Sequence, residues 1–281
     1  MPRPRLSWIP VRLINGVIDQ GSPTLEEWMV KARGFGLDLV EFYVGFLKER
    51  TIKEAKRVRG LLDDHGLSVC QVTCAPDFTH PDAGVRASQI GHMRENIDFA
   101  AEMGAMGCRI TAGCRYPGVR EEDGVDWAVE GLLKSGEYAK TKNIQLGFEN
   151  HYKDKRWEHE DFIMHAEVYL KVFERIKDSW VGVNFDCSNQ VMVSEDPMKI
   201  LNRVISKVWH CHASDRHPGV YKHTVIGEGV TNYDAIFKAL SDYGFSGIIS
   251  LEDGQPGGDP GTLKSFSYLR RKIDQYWGKQ A

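Results

Sequence analysis

Four consecutive apolar segments in the second half of the chain each end in a residue that can bind a metal ion. Glu149 ends the segment IQLGFE, Asp186 ends WVGVNFD, His212 ends VISKVWHCH and Glu252 ends GIISLE. Three carboxylates and one imidazole form a set of donors that favours Mn²⁺, Mg²⁺ or Co²⁺ over a structural zinc ion. Each acid alone is equally compatible with a helix N-cap, but capping does not explain four such residues on successive segments.

The alternation of side chains along a strand adds two histidines to this group. Residues two apart share a face of a strand, so His151 lies on the side of Glu149, and His210 lies on the side of His212. We predict that His151 contributes to catalysis and that His210 contacts the substrate. A loop position for His151 and a hydrogen-bonded core position for His210 are the competing interpretations.

Three further residues near the predicted strand ends are candidates for substrate contact. Arg216 lies in the loop after the third segment, where it can reach a substrate oxygen, the carboxylate of Asp215 or a surface partner. Asn189 lies three residues after Asp186. Tyr43 lies near the end of an earlier apolar segment, where its ring can stack on a substrate or pack in the core.

These residues need elements that bring the ends of distant segments together. Eight apolar, β-branched segments alternate with helical patterns along the chain: Leu6–Ile9, Asp38–Val44, Leu67–Thr73, Cys108–Ala112, Ile144–Glu149, Trp180–Asp186, Val204–His212 and Gly247–Glu252. Strands that alternate with helices form a parallel sheet, and eight of them favour closure into a barrel. The main alternative is an open doubly wound sheet, but its glycine-rich turn after the first strand is absent from the sequence.

We therefore predict an α/β protein with one (β/α)8 TIM barrel domain over residues 1–281. The active site is expected at the carboxyl ends of the strands, where barrel enzymes build theirs. Helices are indicated by the segment that opens at Pro23 and by the amphipathic stretches Ser88–Met103 and Asp126–Thr141.

Composition and charge exclude several classes of protein. The 281 residues carry 36 Lys+Arg and 39 Asp+Glu, a net charge of −3, which gives no signature of nucleic-acid or membrane-surface binding. No apolar run reaches the roughly 18 residues of a transmembrane helix. The N-terminus lacks the features of a secretory signal, so we expect the cytoplasm. The six cysteines lack paired spacing and are expected to be reduced thiols.

The segments around the four strand-end residues resemble one known superfamily. GFENHYKD, VNFDCSNQ, VWHCHASDRH and GIISLEDG, with the segment IGEGVTNYDAIFKALSDYGFSG, are similar to the xylose-isomerase-like TIM barrels. That group includes sugar isomerases, ketose 3-epimerases, inosose dehydratases and endonuclease-IV-like enzymes. The resemblance implies a divalent ion, usually Mn²⁺ with Co²⁺, Mg²⁺ or Zn²⁺ as alternatives, held by Glu149, Asp186, His212 and Glu252. It also implies that Glu149 and Glu252 exchange the proton at the reacting carbon.

Some positions depart from the branches of this superfamily. Asn189 stands where ketose 3-epimerases have a histidine, and Pro218 stands where they have a substrate-binding arginine, with Arg216 near but offset. The third and fourth strand ends, Thr73-Cys74 and Thr111–Gly113, lack the histidines with which the endonuclease-IV branch holds three zinc ions. The Glu-Asn-His and Ala-Ser-Asp-Arg runs resemble a less characterised epimerase-like branch, near the metal-dependent subunits of C-glycoside deglycosidases.

The predicted function is a metal-dependent sugar isomerase or epimerase that abstracts a proton next to a metal-bound carbonyl. The substrate is expected to be an unphosphorylated ketose or related polyol, because Asp253 and Asp259 disfavour a phosphate at the glycine-rich segment Gly254–Gly261. A lyase on the same scaffold, either an inosose-type dehydratase or a deglycosidase subunit, and a non-enzymatic sugar-binding barrel are the alternatives. The expected partners are this small substrate and further copies of the chain, or a hetero-complex for a deglycosidase subunit, but neither nucleic acid nor membrane.

Overall fold

The computed structural model of the protein describes residues 2–17, 22–154 and 157–279. In these residues eight parallel strands form a nearly closed barrel in the spatial order β1-β8-β7-β6-β5-β4-β3-β2, with β2 packed beside β1. The strands are β1 (Arg5–Ile9), β2 (Leu39–Tyr43), β3 (Ser68–Thr73), β4 (Gly107–Ile110), β5 (Gln145–Glu149), β6 (Val181–Asp186), β7 (Val208–Ala213) and β8 (Ile248–Glu252). This arrangement confirms the predicted (β/α)8 TIM barrel.

A helix follows each strand and packs outside the barrel. These eight helices are α1 (Leu25–Gly34), α2 (Ile52–Asp64), α3 (Ala83–Glu102), α4 (Glu121–Thr141), α5 (Ala166–Ile176), α6 (Met198–Val204), α7 (Tyr233–Tyr243) and α8 (Gly258–Trp277). Capping explains where several of them begin. The Thr24 hydroxyl accepts a hydrogen bond from Glu27 N, and the Glu27 carboxylate accepts one from Thr24 N. Within the described residues, we find no helix with the length and apolar character needed to cross a membrane.

One predicted strand boundary is wrong, and the other seven strands differ from their predictions by at most two residues at either end. The segment predicted as a strand over Val204–His212 begins with the last residue of α6 and a 3-10 turn at Ile205–Lys207, and β7 starts only at Val208. Ile200, Leu201 and Val204 are the buried residues of α6. Their spacing is that of one helix face, so Val204 belongs to the helical pattern.

The apolar core fills the layer between the strands and the helices. Trp8 on β1, Trp28 on α1 and Phe42 on β2 are fully buried there, and the rings of Trp28 and Phe42 lie 6.3 Å apart. The interior of the barrel is polar instead. Its buried side chains include Glu41, Gln71, Arg109, Asn184 and His210, each from a different strand. This polar interior supports the residues at the strand ends.

All six cysteines are buried and have free thiols, as their spacing predicted. Cys211 lies between His210 and His212 in the sequence of β7, and its side chain packs in the apolar core. Because side chains alternate along a strand, both histidines point into the barrel.

Candidate active site

The carboxyl ends of β5, β6 and β7 bring three of the predicted ligands together. Asp186 pairs in register with His212 across β6 and β7, and Glu149 ends β5. One ligand atom from each of these residues lies within 4.8 Å of the other two. All three side chains are buried. We call Glu149, Asp186 and His212 the rim cluster.

The side chain of Asn150 fastens the end of β5 to the end of β6. It accepts a hydrogen bond from Asp186 N at 2.8 Å and donates one to Asp186 O at 2.9 Å. An amide side chain thus pairs with both backbone polar groups of Asp186, just past the last paired residues of the two strands. This contact holds Asp186 at a fixed position relative to Glu149.

His212 has a carboxylate at each ring nitrogen. Its Nδ1 donates to Glu149 Oε1 at 2.6 Å, and its Nε2 lies 2.9 and 3.0 Å from the two carboxylate oxygens of Glu41. Burial works to lower the pKa of His212, but the charges of Glu41 and Glu149 outweigh it and raise the pKa well above its ordinary value. Burial works to raise the pKa of Glu41, but the charge of His212 outweighs it and lowers the pKa to about 2. Glu41 therefore orients the ring of His212 from the side away from Glu149.

Asp186 is held by the loops that follow β6 and β7. Its Oδ1 accepts hydrogen bonds from the backbone N–H groups of Ser188 at 2.8 Å and Asn189 at 2.6 Å. Its Oδ2 accepts one from Ser214 Oγ at 3.0 Å. Burial, followed by the charge of Glu149, raises the pKa of Asp186 above its ordinary value. Two buried carboxylates this close repel each other, so a cation between them would be bound favourably.

Glu252 ends β8 at the same rim but does not belong to the rim cluster. Its Oε2 is buried without a hydrogen-bond partner among the described residues, and His223 Nε2 is 3.7 Å from it. Burial, followed by the charge of Asp186, raises the pKa of Glu252 to about 8. The side chain of Glu252 as a whole is 17% exposed, so it is a partly buried carboxyl group, and it is close enough to Asp186 for the two charges to interact.

These donors fit a divalent cation. Carboxylate oxygens and an imidazole nitrogen meet at the rim, whereas Cys187 and Cys211 pack in the core. A cation would relieve the repulsion within the rim cluster and would supply the partner that Glu252 Oε2 lacks. The residues present thus fit a divalent ion as predicted, and the choice of Mn²⁺ over Co²⁺, Mg²⁺ or Zn²⁺ stays a prediction.

Arg109 on β4 is a buried cation beside the rim cluster. Its Nε donates to Glu149 Oε2, and its Nη1 donates to Cys74 O at 3.0 Å. Burial works to raise the pKa of Glu149, but the charge of Arg109, and next that of His212, holds this pKa well below its ordinary value. Glu149 is therefore an ionised carboxylate at neutral pH.

His151 is buried just beyond the end of β5. Its Nδ1 donates to Asp161 Oδ2 at 2.9 Å, and Asp161 Oδ1 in turn accepts from Ile163 N at 3.1 Å. Burial, followed by the positive charge of Arg109, lowers the pKa of His151 well below its ordinary value. The ring is thus a neutral imidazole at neutral pH, in a fixed orientation near Glu149.

His210 occupies the position of a core histidine. It is fully buried inside the barrel, with Nδ1 2.6 Å from Asn184 Oδ1 and Nε2 3.7 Å from Glu41 Oε2. Glu41, His210 and His212 also form a second group whose ligand atoms lie within 4.8 Å of one another. His210 therefore lies below the strand ends, where it supports Glu41 and Asn184.

The other three predicted substrate residues lie at the rim. Arg216 is buried and donates through Nε to Ser188 Oγ at 3.2 Å and through Nη2 to Asn189 Oδ1 at 3.4 Å. Arg216 and Asn189 are thus neighbours, and both adjoin Asp186. Tyr43 is half-buried at the end of β2.

The sequence analysis selected residues at the predicted strand ends and therefore missed four residues of the site: Glu41, Arg109, Asp161 and His223. The sequence does carry a signal for Glu41 and Arg109, because each is a charged residue inside an otherwise apolar strand, in LVEFY and GCRI. Such a residue faces a polar interior or another charge. Asp161 and His223 lie in loops, and no periodicity places a loop residue.

Comparisons with known proteins agree with this architecture. The family model described as a xylose isomerase-like TIM barrel matches residues 29–272. An L-ribulose-5-phosphate 3-epimerase, UlaE, of Shigella flexneri serotype 5b (strain 8401) is 24% identical over 252 residues, which cover 84% of this chain and 86% of that protein. An inosose dehydratase of Clostridium perfringens (strain 13 / Type A) is 26% identical over 169 residues, which cover 52% of this chain and 54% of that protein.

Solved structures share the whole fold. A D-tagatose 3-epimerase-like protein superposes with a TM-score of 0.78 at 19% identity, covering 99% of this chain and 100% of its own. The IolI protein, crystallised with a zinc atom, superposes with a TM-score of 0.77 at 14% identity, covering 98% of this chain and 100% of its own. The match of the family model over most of the chain, together with the barrel and its rim residues, establishes that this protein belongs to the xylose isomerase-like TIM barrel family.

Proposed function

We propose that the protein is a divalent-metal-dependent sugar isomerase or epimerase that acts on an unphosphorylated ketose or related polyol. One observation carries the proposal. Two glutamates lie at the same rim as Asp186 and His212, Glu149 fully buried and Glu252 with a side chain that is 17% exposed. Their surroundings shift their pKa values in opposite directions, down for Glu149 and up to about 8 for Glu252. A pair of carboxyl groups separated in this way can supply one base and one acid.

The metal site is proposed to comprise Glu149, Asp186, His212 and Glu252. A divalent ion bound there would polarise a carbonyl and an adjacent hydroxyl of the substrate and make the C–H bond between them more acidic. We favour Mn²⁺, in line with the oxygen-rich donor set. The similar IolI structure contains a zinc atom, which supports a divalent ion in this protein without deciding its identity.

The proton steps are assigned to the two glutamates. Glu149, which Arg109 and His212 keep ionised, accepts the proton from carbon. Glu252, the second glutamate of the rim, takes up a proton from solvent and returns it to carbon. Return to the same carbon from the other face gives epimerisation, and return to the neighbouring carbon gives isomerisation.

Other residues at the rim are proposed to orient the substrate. His151, neutral and fixed by Asp161, can hydrogen-bond a hydroxyl or assist the proton transfer. Arg216 and Asn189 present polar groups on the side of Asp186, and Tyr43 presents an aromatic ring.

Solvent-exchange experiments test this function. Protein loaded with Mn²⁺ is incubated in D₂O with unphosphorylated ketoses, inososes and 3-oxo-glycosides, and deuterium on carbon is followed by NMR. We expect exchange with at least one ketose, and about a 10³-fold loss of the rate in Glu149→Gln and in Glu252→Gln. Glu137→Gln, on the exposed face of α4, is the control. Exchange that survives in both rim variants would refute the proposed roles.

The second candidate is a lyase on the same site. The similarity to inosose dehydratases supports it, because loss of a leaving group can follow the same proton abstraction. Release of water or of an aglycone, without deuterium in recovered substrate, would identify this reaction.

The cellular setting is also a proposal. We place the protein in the cytoplasm, in agreement with its six free thiols, and expect it to form homo-oligomers. A deglycosidase subunit would instead require a second kind of chain. Size-exclusion chromatography with light scattering separates these two assemblies from a monomer.

A further inference from the structure

A cavity of about 200 Å³ lies beside the candidate active site, between the loops that follow β2, β3 and β5. Its walls include Tyr43, Ala75, Asn96 and Trp157, and none of the four proposed metal ligands lines it. Trp157 meets the ring of His151 edge-on with the centroids 5.7 Å apart. Tyr43 follows Glu41 by two residues on β2, so the two side chains share a face of the strand. The cavity is therefore next to the reacting centre but outside it.

Asn96 gives this cavity a polar group that lacks a partner. The residue lies on α3 and is only 9% exposed, and its Oδ1 is buried without a hydrogen-bond partner among the described residues. An unpaired buried amide oxygen costs roughly 1–3 kcal/mol. The wall of the cavity thus holds an acceptor that a hydroxyl donor from a ligand would satisfy.

The remaining lining has the chemistry of a saccharide site. Tyr43 and Trp157 supply aromatic faces, which pack against the apolar face of a sugar ring, and Arg50 and Gln89 supply hydrogen-bonding groups. A phosphate needs several donors and no facing acceptor, whereas here Asn96 Oδ1 and Asp154 are acceptors. A plain aromatic ring would leave Asn96 Oδ1 unpartnered. A ring that carries hydroxyl groups can pack against the aromatic side chains and also donate a hydrogen bond to Asn96 Oδ1.

The size of the cavity sets how much of a ligand it holds. Complete small-molecule sites measure roughly 300–1,000 Å³. A space of about 200 Å³ is smaller than this range, so it fits about one ring, that is, one part of a larger ligand.

We propose that this cavity, which we call the outer subsite (Tyr43, Ala75, Asn96 and Trp157), binds a second hexose ring that is linked to the reacting sugar. The preferred substrate is then a keto sugar within a disaccharide-like glycoside, not a free ketose. This inference rests on the proposed function for the reacting sugar. Tyr43 is shared with that function, but Ala75, Asn96 and Trp157 would contact only the second ring.

Binding measurements test the outer subsite without any turnover. Calorimetric affinities of Mn²⁺-loaded protein are compared for methyl β-D-glucopyranoside, which has one sugar ring, and for cellobiose, maltose and sucrose, which have two. Phenyl β-D-glucopyranoside and glucose 6-phosphate test whether the outer subsite prefers an aromatic ring or a phosphate to a second sugar ring. We expect at least one disaccharide to bind about tenfold more tightly than the one-ring glucoside, the worth of one or two added hydrogen bonds.

Two variants test whether the outer subsite causes the preference for a disaccharide. Asn96→Leu removes the acceptor at similar size, and Ala75→Leu fills the cavity from another wall, so each should reduce the affinity ratio of disaccharide to one-ring glucoside to near one. Ser88→Leu, which adds a leucine to the exposed face of the same helix α3, should keep the wild-type ratio. If Asn96→Leu does not fold, Ala75→Leu alone decides.

Several outcomes overturn the proposal: no disaccharide is preferred, the preference survives both variants, or the phenyl glucoside or the sugar phosphate is preferred instead. Failure of the proposed function looks different. It shows as absence of deuterium exchange with every keto sugar, even where the disaccharide preference and its loss in the variants are intact.

Discussion

The two ring nitrogens of His212 have different tasks if the histidine binds a metal through one of them. The ligating nitrogen must present a lone pair, and a carboxylate at the other nitrogen fixes the tautomer and the orientation of the ring. Glu41 occupies that second position, 2.9 Å from Nε2. Thr73 Oγ1 and Gln71 Nε2 both donate to Glu41 Oε1, so the carboxylate is itself held in place.

Replacing Glu41 should therefore weaken metal binding although Glu41 is not a proposed ligand. Glu41→Gln keeps the size of the side chain and removes its charge, and outer residues of this kind are worth about 10–100-fold in metal affinity. Competition of the protein with a fluorescent chelator measures the change. Glu137→Gln, exposed on α4, is the matched control, and an affinity equal to wild type in Glu41→Gln would rule out this role.

Arg109 should contribute to stability through its contact with Glu149. Both side chains are almost fully buried, at 4% and 0% exposure, and removal of one partner of such a pair leaves a buried charge uncompensated. Arg109→Met should lower the free energy of unfolding of metal-free protein by about 3–5 kcal/mol. Urea denaturation measures this change.

The double variant Arg109→Met/Glu149→Gln serves as the control for that experiment. It removes the unpaired charge and should recover much of the lost stability, because the two substitutions act on one interaction. If the stability lost in the double variant equals the sum of the losses in the two single variants, the ion pair does not stabilise the fold.

At the residue scale, position along a strand predicted part of the site. Glu149, Asp186 and His212 do converge, because the carboxyl ends of parallel strands share one rim. Glu41 could not be placed in the same way. Its contact with His212 spans 171 positions in the sequence and exists only because the barrel brings β2 and β7 across from each other. That Glu252 lies outside the rim cluster likewise depends on packing that no local pattern encodes.

Among the elements, helix α4 approaches the barrel more closely than side chains usually permit. A Cβ atom on Gly131 would lie 2.3 Å from Phe78 Cγ, and Phe78 is fully buried beneath the helix. The absence of a side chain at this position thus sets the distance between α4 and the loop after β3. That loop also carries Ala75, which lines the outer subsite.

Gly131→Ala should consequently destabilise the protein, and Gly60→Ala should not. The first substitution forces Phe78 to move and should cost about 1–3 kcal/mol, as overpacked cores do. Gly60 lies on the exposed face of α2, and a methyl group added there would have no neighbouring atom within 4 Å, so alanine should add roughly 0.5–1 kcal/mol through helix propensity. Thermal and urea unfolding of both variants give the comparison. A neutral Gly131→Ala would mean that Phe78 repacks freely.

Secondary structure was predictable wherever local pattern and tertiary packing agree. The strands that end in Glu149 and Asp186 were predicted to within one residue. The start of β7 was not, because Val204 and Ile205 are β-branched residues that favour a strand locally. In the structure Val204 completes the buried face of α6, and Ile205 begins the 3-10 turn, where it is partly buried against the core.

Across the whole molecule, metal binding and proton binding should compete. Burial raises the pKa of Glu252 to about 8, and the charges of Glu41 and Glu149 raise that of His212 against the opposing effect of burial. Metal-free protein prepared with a chelator therefore holds protons on both groups at neutral pH, and an ion that binds there releases them.

The apparent affinity for Mn²⁺ should thus increase as the pH rises from about 6 to 8. Calorimetric titrations in buffers of different ionisation enthalpy should show net proton release, and the ion should raise the melting temperature more at the higher pH. At a free concentration of about 100 times the dissociation constant, bound metal adds about 2.7 kcal/mol to stability. An affinity that is independent of pH would contradict these protonation states.

The six buried thiols can report how often different parts of the barrel open. Cys70, Cys74, Cys108, Cys187 and Cys211 are wholly enclosed, and Cys114, in the loop bridged to Asp161, is 5% exposed. An alkylating reagent reaches such a sulfur only while the surrounding structure is open, so its labelling rate reports how often that part of the protein opens. Time-resolved mass spectrometry should find Cys114 alkylated first and the strand cysteines much later. The native sequence thus carries its own reporters of local opening on β3, β4 and β7, and no label has to be engineered into it.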